Sequence, residues 1–305
     1  MIHSAVDDAA PCPLCGSPSD PAFRVGDRNR GLGRTQFLYR KCRGCRSLFN
    51  AEVPADLGAY YTADYYRWPE PAELDRHAAS EQPRVDLIRR FAPSGRLVEI
   101  GAGFGLFARA AKLAGFEVTA IEMNGPCCDY LQSTVGVGAV CSNDPVEALK
   151  GLPAPDVVAM WHSLEHVPDP WAVTRAIGAA LAPGGVLALA MPNPQSVQFR
   201  LLGRRWAHVD APRHLYLIPL PALVVHLADQ GLHLEQVTCD DPSGRHWNRF
   251  GWERAFPRRP GERTAPRVIR AASKAATQVM RPLERRPLAG AAYTAVFVKR
   301  APGDR

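Results

Sequence analysis

One segment limits the fold of this 305-residue chain more than any other: residues 96–124, "RLVEIGAGFGLFARAAKLAGFEVTAIEMN". A short apolar run is followed by a glycine-rich turn, a helical pattern that closes on Gly115, and a second apolar run that ends at Glu122. This order predicts a strand–turn–helix–strand unit with a right-handed crossover, and hence a parallel sheet. Glycines let the backbone approach a ligand closely, and an acidic residue at a strand end accepts hydrogen bonds from ribose hydroxyls. The segment therefore predicts a nucleotide-type ligand.

The glycine spacing separates two ligand classes. Dinucleotide-binding proteins use G-x-G-x-x-G, with the pyrophosphate at the helix start. Here Gly101, Gly103 and Gly105 give G-x-G-x-G, preceded by Glu99. This pattern resembles the first motif of class I S-adenosylmethionine (SAM)-dependent methyltransferases. The resemblance implies an α/β, Rossmann-like fold with a seven-stranded sheet, SAM as cofactor, and methyl transfer as the reaction.

The resemblance also implies roles for particular residues. The three glycines line the cofactor, Glu99 lies under the turn near the amino acid end of SAM, and Glu122 takes the ribose. Residues at the following strand ends are expected close by. The expected cofactor-binding set is Glu99, Gly101, Gly103, Gly105, Glu122, Met123, Asn143 and His162.

The rest of the chain continues the alternation of strands and helices. Further strands are predicted at "GAVCSN", "DVVAMW", "VLALAMPN", "LHLEQVTC" and "AAYTAVFVKR", which makes seven in all. The methyltransferase core is assigned to residues 95–305, with insertions at 193–220 and 242–290 where substrate selection is expected. Residues 56–94 form a helical and aromatic segment, in which Tyr61, Tyr65 and Tyr66 are candidates for a lid over the cofactor or for apolar packing.

Four cysteines near the N-terminus predict a metal site. Cys12, Cys15, Cys42 and Cys45 read C-x2-C-x26-C-x2-C, and each two-residue gap lets a tight turn aim two sulfurs at one point. Four thiolates suit tetrahedral Zn²⁺ in a closed, structural site, so residues 1–55 are assigned to a zinc ribbon. Two disulfides are the alternative. The start of the chain lacks a secretion-signal pattern, which favours zinc and a cytoplasmic location.

Charge is unevenly distributed along the chain. The formal net charge is +7, yet 15 Lys and Arg stand against 4 Asp and Glu from Arg245 onward, while the remainder holds 22 against 26. Residues 264–281 predict an amphipathic basic helix with Val268, Ala272, Ala276 and Val279 on one stripe. Such a helix suits an anionic membrane carrying a lipid-linked acceptor, or equally a solvated surface.

The stretch "HSLEH", His162 to His166, has the H-x-x-E-H spacing of one zinc metallopeptidase class. Two metal-binding histidines at i and i+4 need a helix, but "DVVAMW" runs as a strand into His162, and Pro168 and Pro170 stop a helix beyond His166. We therefore expect no metal at these histidines. His166 follows the carboxyl end of a strand, where ligands of parallel sheets bind, and is the first candidate for a general base.

The insertion after the fifth strand supplies a second set of candidates. His214 is the second candidate base, and aromatic walls with an arginine fork suit an acceptor pocket; the expected substrate-binding residues are Trp206, Asp210, Arg213 and Tyr216. The ribbon together with "LEHVPDPW" and "APRHLYLIP" resembles bacterial methyltransferases of small-molecule and polysaccharide biosynthesis. The resemblance implies a small-molecule or glycan acceptor, with O-methylation favoured.

Two other functions remain open from the sequence. A zinc ribbon with a basic helix also suits an RNA methyltransferase, although no aromatic and basic interleaving typical of base stacking is present and nucleic acid is the less favoured partner. The second is a SAM-binding scaffold without catalysis, which the intact glycine turn does not exclude. The oligomeric state is not readable from the sequence.

Overall fold

The computed structural model describes residues 10–62, 68–255 and 266–301. Tyr65 and Tyr66 of the predicted lid lie outside these residues. The strands are β1 Ser19–Val25, β2 Phe37–Cys42, β3 Leu48–Asn50, β4 Arg96–Ile100, β5 Glu117–Glu122, β6 Gly138–Cys141, β7 Val157–Trp161, β8 Val186–Pro192, β9 Tyr216–Leu217, β10 Leu232–Thr238 and β11 Ala292–Lys299. The α-helices are α1 Leu74–Ala78, α2 Gln82–Arg89, α3 Leu106–Leu113, α4 Gly125–Tyr130, α5 Pro145–Lys150, α6 Pro170–Ala180, α7 Val197–Leu202, α8 Leu220–Ala228, α9 Pro242–Ala255 and α10 Arg267–Glu284.

The larger sheet confirms the predicted α/β, Rossmann-like architecture. It has seven strands in the order β10-β11-β8-β7-β4-β5-β6. The strands from β4 to β8 pair in parallel, and β11 runs antiparallel between β8 and β10. The central strands β7 and β8 are buried along their whole length, as their continuous apolar sequences predict for a sheet covered on both faces.

Alternate residues of the strands pack into two separate apolar clusters, one on each face of the sheet. Val158 and Met160 join α6 and α8 on one face, while Val157 and Ala159 join α2 and α3 on the other. The carboxyl ends of the parallel strands therefore remain at one edge of a rigid, fully covered sheet. Ligands of such sheets bind at this edge.

The smaller sheet joins the N-terminal segment to the later insertion. Its order is β1-β2-β3-β9, with antiparallel pairing throughout. The strands β1 to β3 come from the predicted ribbon, whereas β9 comes from the insertion at 193–220. Phe49 of β3 pairs with Tyr216 of β9. Residues 10–55, called the ribbon from here on, are thus joined by strand pairing to the insertion in which the sequence predicts the acceptor pocket.

The basic helix is confirmed as α10, but its orientation differs from the predicted stripe. Ser273 and Glu284, eleven residues and about three turns apart, are the buried residues of this helix. Glu284 accepts hydrogen bonds from Gln198 and from Trp252 of α9, which fixes this face inward. Val268 and Val279 are 80% and 72% exposed, so they lie on the outer face among the basic side chains. Contact of this face with an anionic membrane stays a prediction.

Among the described residues, no helix has both the length and the apolar character needed to span a bilayer.

Candidate functional site

The glycine turn after β4 has the backbone conformation that the motif predicts. Gly101, Gly103 and Gly105 all have positive φ, at 77°, 56° and 74°. A Cβ on Gly101 would lie 2.6 Å from Cβ of Ser163, and one on Gly105 would lie 2.5 Å from Leu131. Side chains at these positions are therefore excluded twice, by the backbone angle and by lack of space. The turn is free to present backbone groups to a ligand, and Ser163 ties it to the loop after β7 through a 2.8 Å hydrogen bond to the Ile100 carbonyl.

Glu122 stands at the carboxyl end of β5, beside this turn. One carboxylate oxygen accepts the backbone N–H of Gly103 at 2.8 Å, and the other accepts those of Met123 and Asn124, both at 2.9 Å. The side chain is buried. These bonds hold the Glu122 side chain in one orientation at the point where the motif places the cofactor ribose.

Several buried polar atoms near the strand ends have no hydrogen-bond partner within the described part of the chain. They include Oε2 of Glu99, Nε1 of Trp161 and Nε2 of His162. Such atoms are rare in folded proteins and indicate a place where a ligand or water completes the bonding. Burial raises the pKa of Glu99 well above its usual value, and the negative charges of Glu81 and Glu122 add to the effect.

Arg84 on α2 is a neighbour of this site that the sequence did not indicate. Its guanidinium lies over the Trp161 ring, 4.6 Å from the centroid, and donates to Glu81 and Ser243. Its Nε is buried and has no acceptor in the described residues. The contact of Arg84 with Trp161 of β7 depends on the packed fold, which local sequence patterns do not contain.

Two predicted cofactor residues lie at the outer edge of this region. The Met123 side chain is 70% exposed, and its contribution to the described contacts is the backbone N–H that binds Glu122. Asn143 is exposed just after the edge strand β6. The structure therefore places both next to the Glu122 end of the site without burying either side chain.

The loop after β7 confirms that "HSLEH" does not form a helix with two histidines on one face. β7 ends at Trp161, His162 follows with φ at 55°, and Leu164–His166 make one 3₁₀ turn. The His162 ring packs on Trp247 of α9, with the ring centroids 4.7 Å apart. Burial is the main cause that lowers the pKa of His162 below its ordinary value.

His166 and His214, the two candidate bases, are brought together. Their rings meet edge to face with centroids 4.6 Å apart. Nδ1 of His166 lies 3.1 Å from the Arg213 carbonyl and 3.0 Å from the Tyr61 hydroxyl, while Nδ1 of His214 lies 2.8 Å from the His208 carbonyl. Burial lowers the pKa of His166 to about 4, with a further contribution from His214. His166 is therefore a neutral imidazole near pH 7.

Glu165 is a functional candidate that the sequence reading passed over. It is fully buried, and neither carboxylate oxygen accepts a hydrogen bond from the described residues. Burial alone would raise its pKa, but the imidazoles of His162, His214 and His166 outweigh burial and bring the pKa to about 2. The signal was present in the glutamate of "HSLEH", but the i, i+4 argument tested the two histidines and not their proximity to His214.

The four predicted substrate-binding residues are held by other protein groups. The Arg213 guanidinium is 1% exposed and binds Asp27 of the ribbon, Asp210 and the Tyr60 carbonyl. In this structure it offers no fork to an acceptor, because the buried guanidinium is already paired with two carboxylates. Trp206 is buried with its Nε1 donating to Gln198, and the Tyr216 hydroxyl donates to the Pro168 carbonyl.

The ribbon donates hydrogen bonds to the segment that carries His214. The Tyr39 hydroxyl donates to the His214 carbonyl at 2.6 Å, and Asn29 donates to the Asp210 carboxylate at 2.5 Å. Leu215 N–H donates to the Glu165 carbonyl at 2.8 Å, which joins this segment to the loop after β7. No local pattern marks Asp27, Asn29 or Tyr39 as partners of residues so distant along the chain.

The four N-terminal cysteines come together as predicted. Their ligand atoms all lie within 4.8 Å of one another, with Cys12 and Cys45 sulfurs 3.8 Å apart and Cys15 and Cys42 sulfurs 3.4 Å apart. These separations are far longer than a disulfide bond of about 2.05 Å. The hydrogen bond from Cys12 lowers the pKa of Cys45 to about 4. Trp171 of α6 anchors the first turn through a 2.6 Å bond to the Leu14 carbonyl.

Comparison with known proteins agrees with the glycine turn and the sheet order. A sequence-family model described as a methyltransferase domain matches residues 74–237, which is more than half of the chain. The chain therefore belongs to this methyltransferase family, and it is a SAM-dependent methyltransferase. The fold and the motif that the sequence predicted are thus confirmed at the level of the class.

Similar proteins include two enzymes named ubiquinone biosynthesis O-methyltransferase. The one from Marinobacter nauticus is 29% identical over 212 residues, covering 62% of this chain and 86% of its own length. The one from Xylella fastidiosa strain 9a5c is 31% identical over 196 residues, covering 60% and 79%. A SAM-dependent methyltransferase from Archaeoglobus fulgidus has the same fold, with a TM-score of 0.50 at 19% identity, covering 74% of this chain and 97% of that chain.

Proposed function

We propose that this methyltransferase transfers the methyl group to a hydroxyl oxygen of a small-molecule or glycan acceptor, with the acceptor hydroxyl placed at His166 and His214. The observation that carries the proposal is the pair of imidazoles that meet edge to face at the loop after β7, the loop whose Ser163 contacts the glycine turn. The similar enzymes named ubiquinone O-methyltransferases support a small-molecule oxygen acceptor. Ligands of parallel sheets bind at the carboxyl ends of the strands, so the cofactor and the acceptor would meet at the same edge of this sheet.

The residues around the turn fit SAM. Its sulfonium supplies an activated methyl group, so the protein's task is to align an acceptor oxygen in line with that group. The glycine turn has no side chains that would block the cofactor, so its backbone can approach SAM closely. The Glu122 carboxylate, held in one orientation, offers its oxygens to the ribose hydroxyls. Glu99, buried under the turn with an unpartnered oxygen, lies where the cofactor's amino acid end is expected.

His166 is the proposed general base. The Arg213 carbonyl can only accept, whereas the Tyr61 hydroxyl can donate or accept; we therefore assign the ring proton to Nδ1, which satisfies the carbonyl and leaves the lone pair on Nε2. With a pKa lowered to about 4, the ring is unprotonated near pH 7 but is a weak base. We therefore expect proton uptake to accompany, and not to precede, formation of the new O–C bond. Once protonated, the imidazolium is stabilised by the nearby Glu165 carboxylate.

We also infer that Cys12, Cys15, Cys42 and Cys45 hold a structural Zn²⁺. A tetrahedral site with Zn–S bonds of about 2.3 Å separates its sulfurs by roughly 3.7 Å. The observed separations of 3.4 and 3.8 Å bracket that value. Four thiolates leave no open position for a substrate, so this site stabilises the ribbon and takes no part in the chemistry.

The proposal is tested with two variants that act on different ligands. Glu122→Ala should weaken SAM binding by about 10- to 100-fold, because it removes charge-assisted hydrogen bonds of roughly 1.5–3 kcal/mol each. His166→Ala should bind SAM as the wild type does and lose transfer. Calorimetry measures the first effect, and mass spectrometry of a panel of phenol, sugar and amine acceptors measures the second and identifies the methylated atom.

His77→Ala is the matched control, since this imidazole lies on the surface helix α1 away from the cluster. It should leave SAM affinity and transfer unchanged. Full transfer by His166→Ala removes the base assignment. Equal SAM affinity in Glu122→Ala and wild type removes the cofactor assignment, and methylation of nitrogen or carbon only would overturn the oxygen acceptor.

A further inference from the structure

A second group of metal-binding side chains lies at the acceptor side, apart from the four cysteines. One ligand atom from each of Glu165, His166 and His214 lies within 4.8 Å of the others. Glu165 and His214 are buried and His166 is half-buried, between the loop after β7 and the segment that leads into β9. From the contacts described below, the geometry points to a divalent transition-metal ion bound by Glu165, His166 and His214.

The two histidines are already held in the form that binds a metal. In each ring Nδ1 faces a backbone carbonyl, that of Arg213 for His166 and that of His208 for His214. Since a carbonyl only accepts, Nδ1 carries the proton and Nε2 keeps its lone pair. Metal-binding histidines in proteins characteristically donate their other ring N–H to such a carbonyl, which fixes the tautomer and the ring orientation.

Glu165 supplies the strongest single argument. Its carboxylate is fully buried and accepts no hydrogen bond from the described residues, an arrangement that costs free energy unless a cation lies beside it. The nearest imidazole nitrogens to Oε1 are Nδ1 of His162 at 3.5 Å and Nε2 of His214 at 4.0 Å. Both distances are too long for good hydrogen bonds. Of these two nitrogens only that of His214 belongs to the proposed ligand set, and its 4.0 Å would shorten to the roughly 3.0–3.5 Å that separates two ligands of one ion with bonds of about 2.0–2.2 Å.

The ligand set limits which ion would bind. Two neutral imidazoles and one carboxylate suit Zn²⁺, Co²⁺, Mn²⁺ or Fe²⁺, whereas Ca²⁺ and Mg²⁺ prefer oxygen ligands. Three protein ligands leave at least one coordination position open, unlike the closed four-cysteine site. The carboxylate cancels one of the two positive charges, so the loaded site keeps a net positive charge that attracts an oxygen anion.

Such an ion deepens the proposed function, and its role in the reaction rests on that function. An acceptor hydroxyl that contacts the ion has a lowered pKa and releases its proton to water. The oxygen lone pair then forms the bond to the methyl carbon, and the carbon–sulfur bond breaks with its electron pair going to sulfur. In the metal-loaded protein, His166 therefore acts as a ligand and no longer as the proton acceptor.

The test is a Co²⁺ titration of the full-length protein whose cysteine site is first loaded with Zn²⁺, followed by metal analysis after dialysis. The wild type should bind one additional ion with the weak visible absorption of a nitrogen and oxygen site. Glu165→Gln keeps the side-chain size but loses a charged ligand, and should weaken Co²⁺ binding at least about 10-fold. His214→Gln should act likewise, and His77→Ala should match the wild type.

SAM affinity within two-fold of the wild type shows that each variant is folded, and needs no acceptor. Equal Co²⁺ uptake by wild type, Glu165→Gln and His214→Gln overturns the site, as does absence of a saturable second ion in the wild type. If no second ion binds while oxygen methylation persists, the metal inference fails and the proposed function stands. If the ion binds and no oxygen product forms, the proposed function fails and the metal site stands.

Discussion

The two halves of the site are built in opposite ways. The cofactor half consists of residues close together in the chain: the turn at 101–105 and Glu122 belong to one strand–turn–helix–strand unit, and Gly103 bonds directly to Glu122. The half that we propose for the acceptor is assembled from the loop after β7, the segment at 206–217 and the ribbon, whose Asp27 pairs with Arg213 across 186 residues of sequence. A short-range unit is stable to changes elsewhere, whereas a long-range assembly depends on every one of its parts.

Disrupting the four-cysteine site should produce the largest difference between the two halves: methyl transfer is lost while SAM affinity is kept. Cys42→Ser removes one ligand of the proposed Zn²⁺ site, and chelation removes the ion itself. The free energy of Zn²⁺ binding is about 10–16 kcal/mol in small zinc domains. The ribbon should lose its order, and Tyr39 and Asp27 with it, so that methyl transfer is abolished. SAM affinity should change by less than about three-fold, because no hydrogen bond in the described part of the chain joins the ribbon to the glycine turn or to the Glu122 side chain.

Calorimetry of SAM binding and product analysis on Cys42→Ser measure the two quantities. Cys239→Ser, at a buried cysteine outside the cluster, is the matched control and should retain transfer. Parallel loss of SAM affinity and transfer in Cys42→Ser would show that the two halves are not independent.

A smaller effect is expected from the buried ion pair between the ribbon and the acceptor segment. Asp27→Asn leaves the Arg213 guanidinium partly unpaired in a buried position, and breaking such a pair costs about 3–5 kcal/mol. Asp20→Asn, which removes an exposed partner of Arg43 in the same ribbon, should cost far less, because solvent screens an exposed pair. Denaturant unfolding gives both free energies, and similar losses in the two variants would contradict the distinction between buried and exposed pairs.

The smallest expected effect concerns Glu99 in the cofactor half. Burial raises the folded-state pKa of this carboxyl well above its usual value. A cationic amino group bound beside it favours the ionised form, so SAM binding should lower this pKa and release up to one proton, with the amount set by the pH. Calorimetry in buffers of different ionisation enthalpy counts this proton. Glu99→Gln should abolish the release; unchanged release would assign the proton to another group.

The same contrast explains how much the sequence predicted. The strands β4 and β5 and the glycine turn follow from local patterns, because strand, turn and helix propensities act over a few residues and the motif lies within one unit. The four cysteines are equally local in pairs. The sequence predicts Trp206 and Arg213 as acceptor contacts because their residue types suit that role, and this stays a prediction. Their partners, Gln198 and Asp27, are set by tertiary packing, which single-sequence patterns do not contain.

The cluster of Glu165, His166 and His214 shows the same limit of single-sequence patterns. The proline and strand arguments correctly excluded a helix through "HSLEH". They could not exclude that Glu165 and His166 meet a third side chain from another loop, since His214 arrives through the pairing of β9 with the ribbon. The sequence argument covered only the five residues of the motif, whereas the third side chain of the cluster, His214, comes from another segment of the chain.

The pairing of Phe49 with Tyr216 has a consequence for how the chain is made. At a synthesis rate of about 5–20 residues per second, the first three ribbon strands leave the ribosome roughly 10 to 30 seconds before the strand that completes their sheet. During that interval the edge of β3 lacks its partner strand β9, and the carboxylate of Asp27 lacks the Arg213 guanidinium. Early capture of an ion by the cysteines would keep the nascent N-terminus in register until Arg213 and β9 emerge to close it.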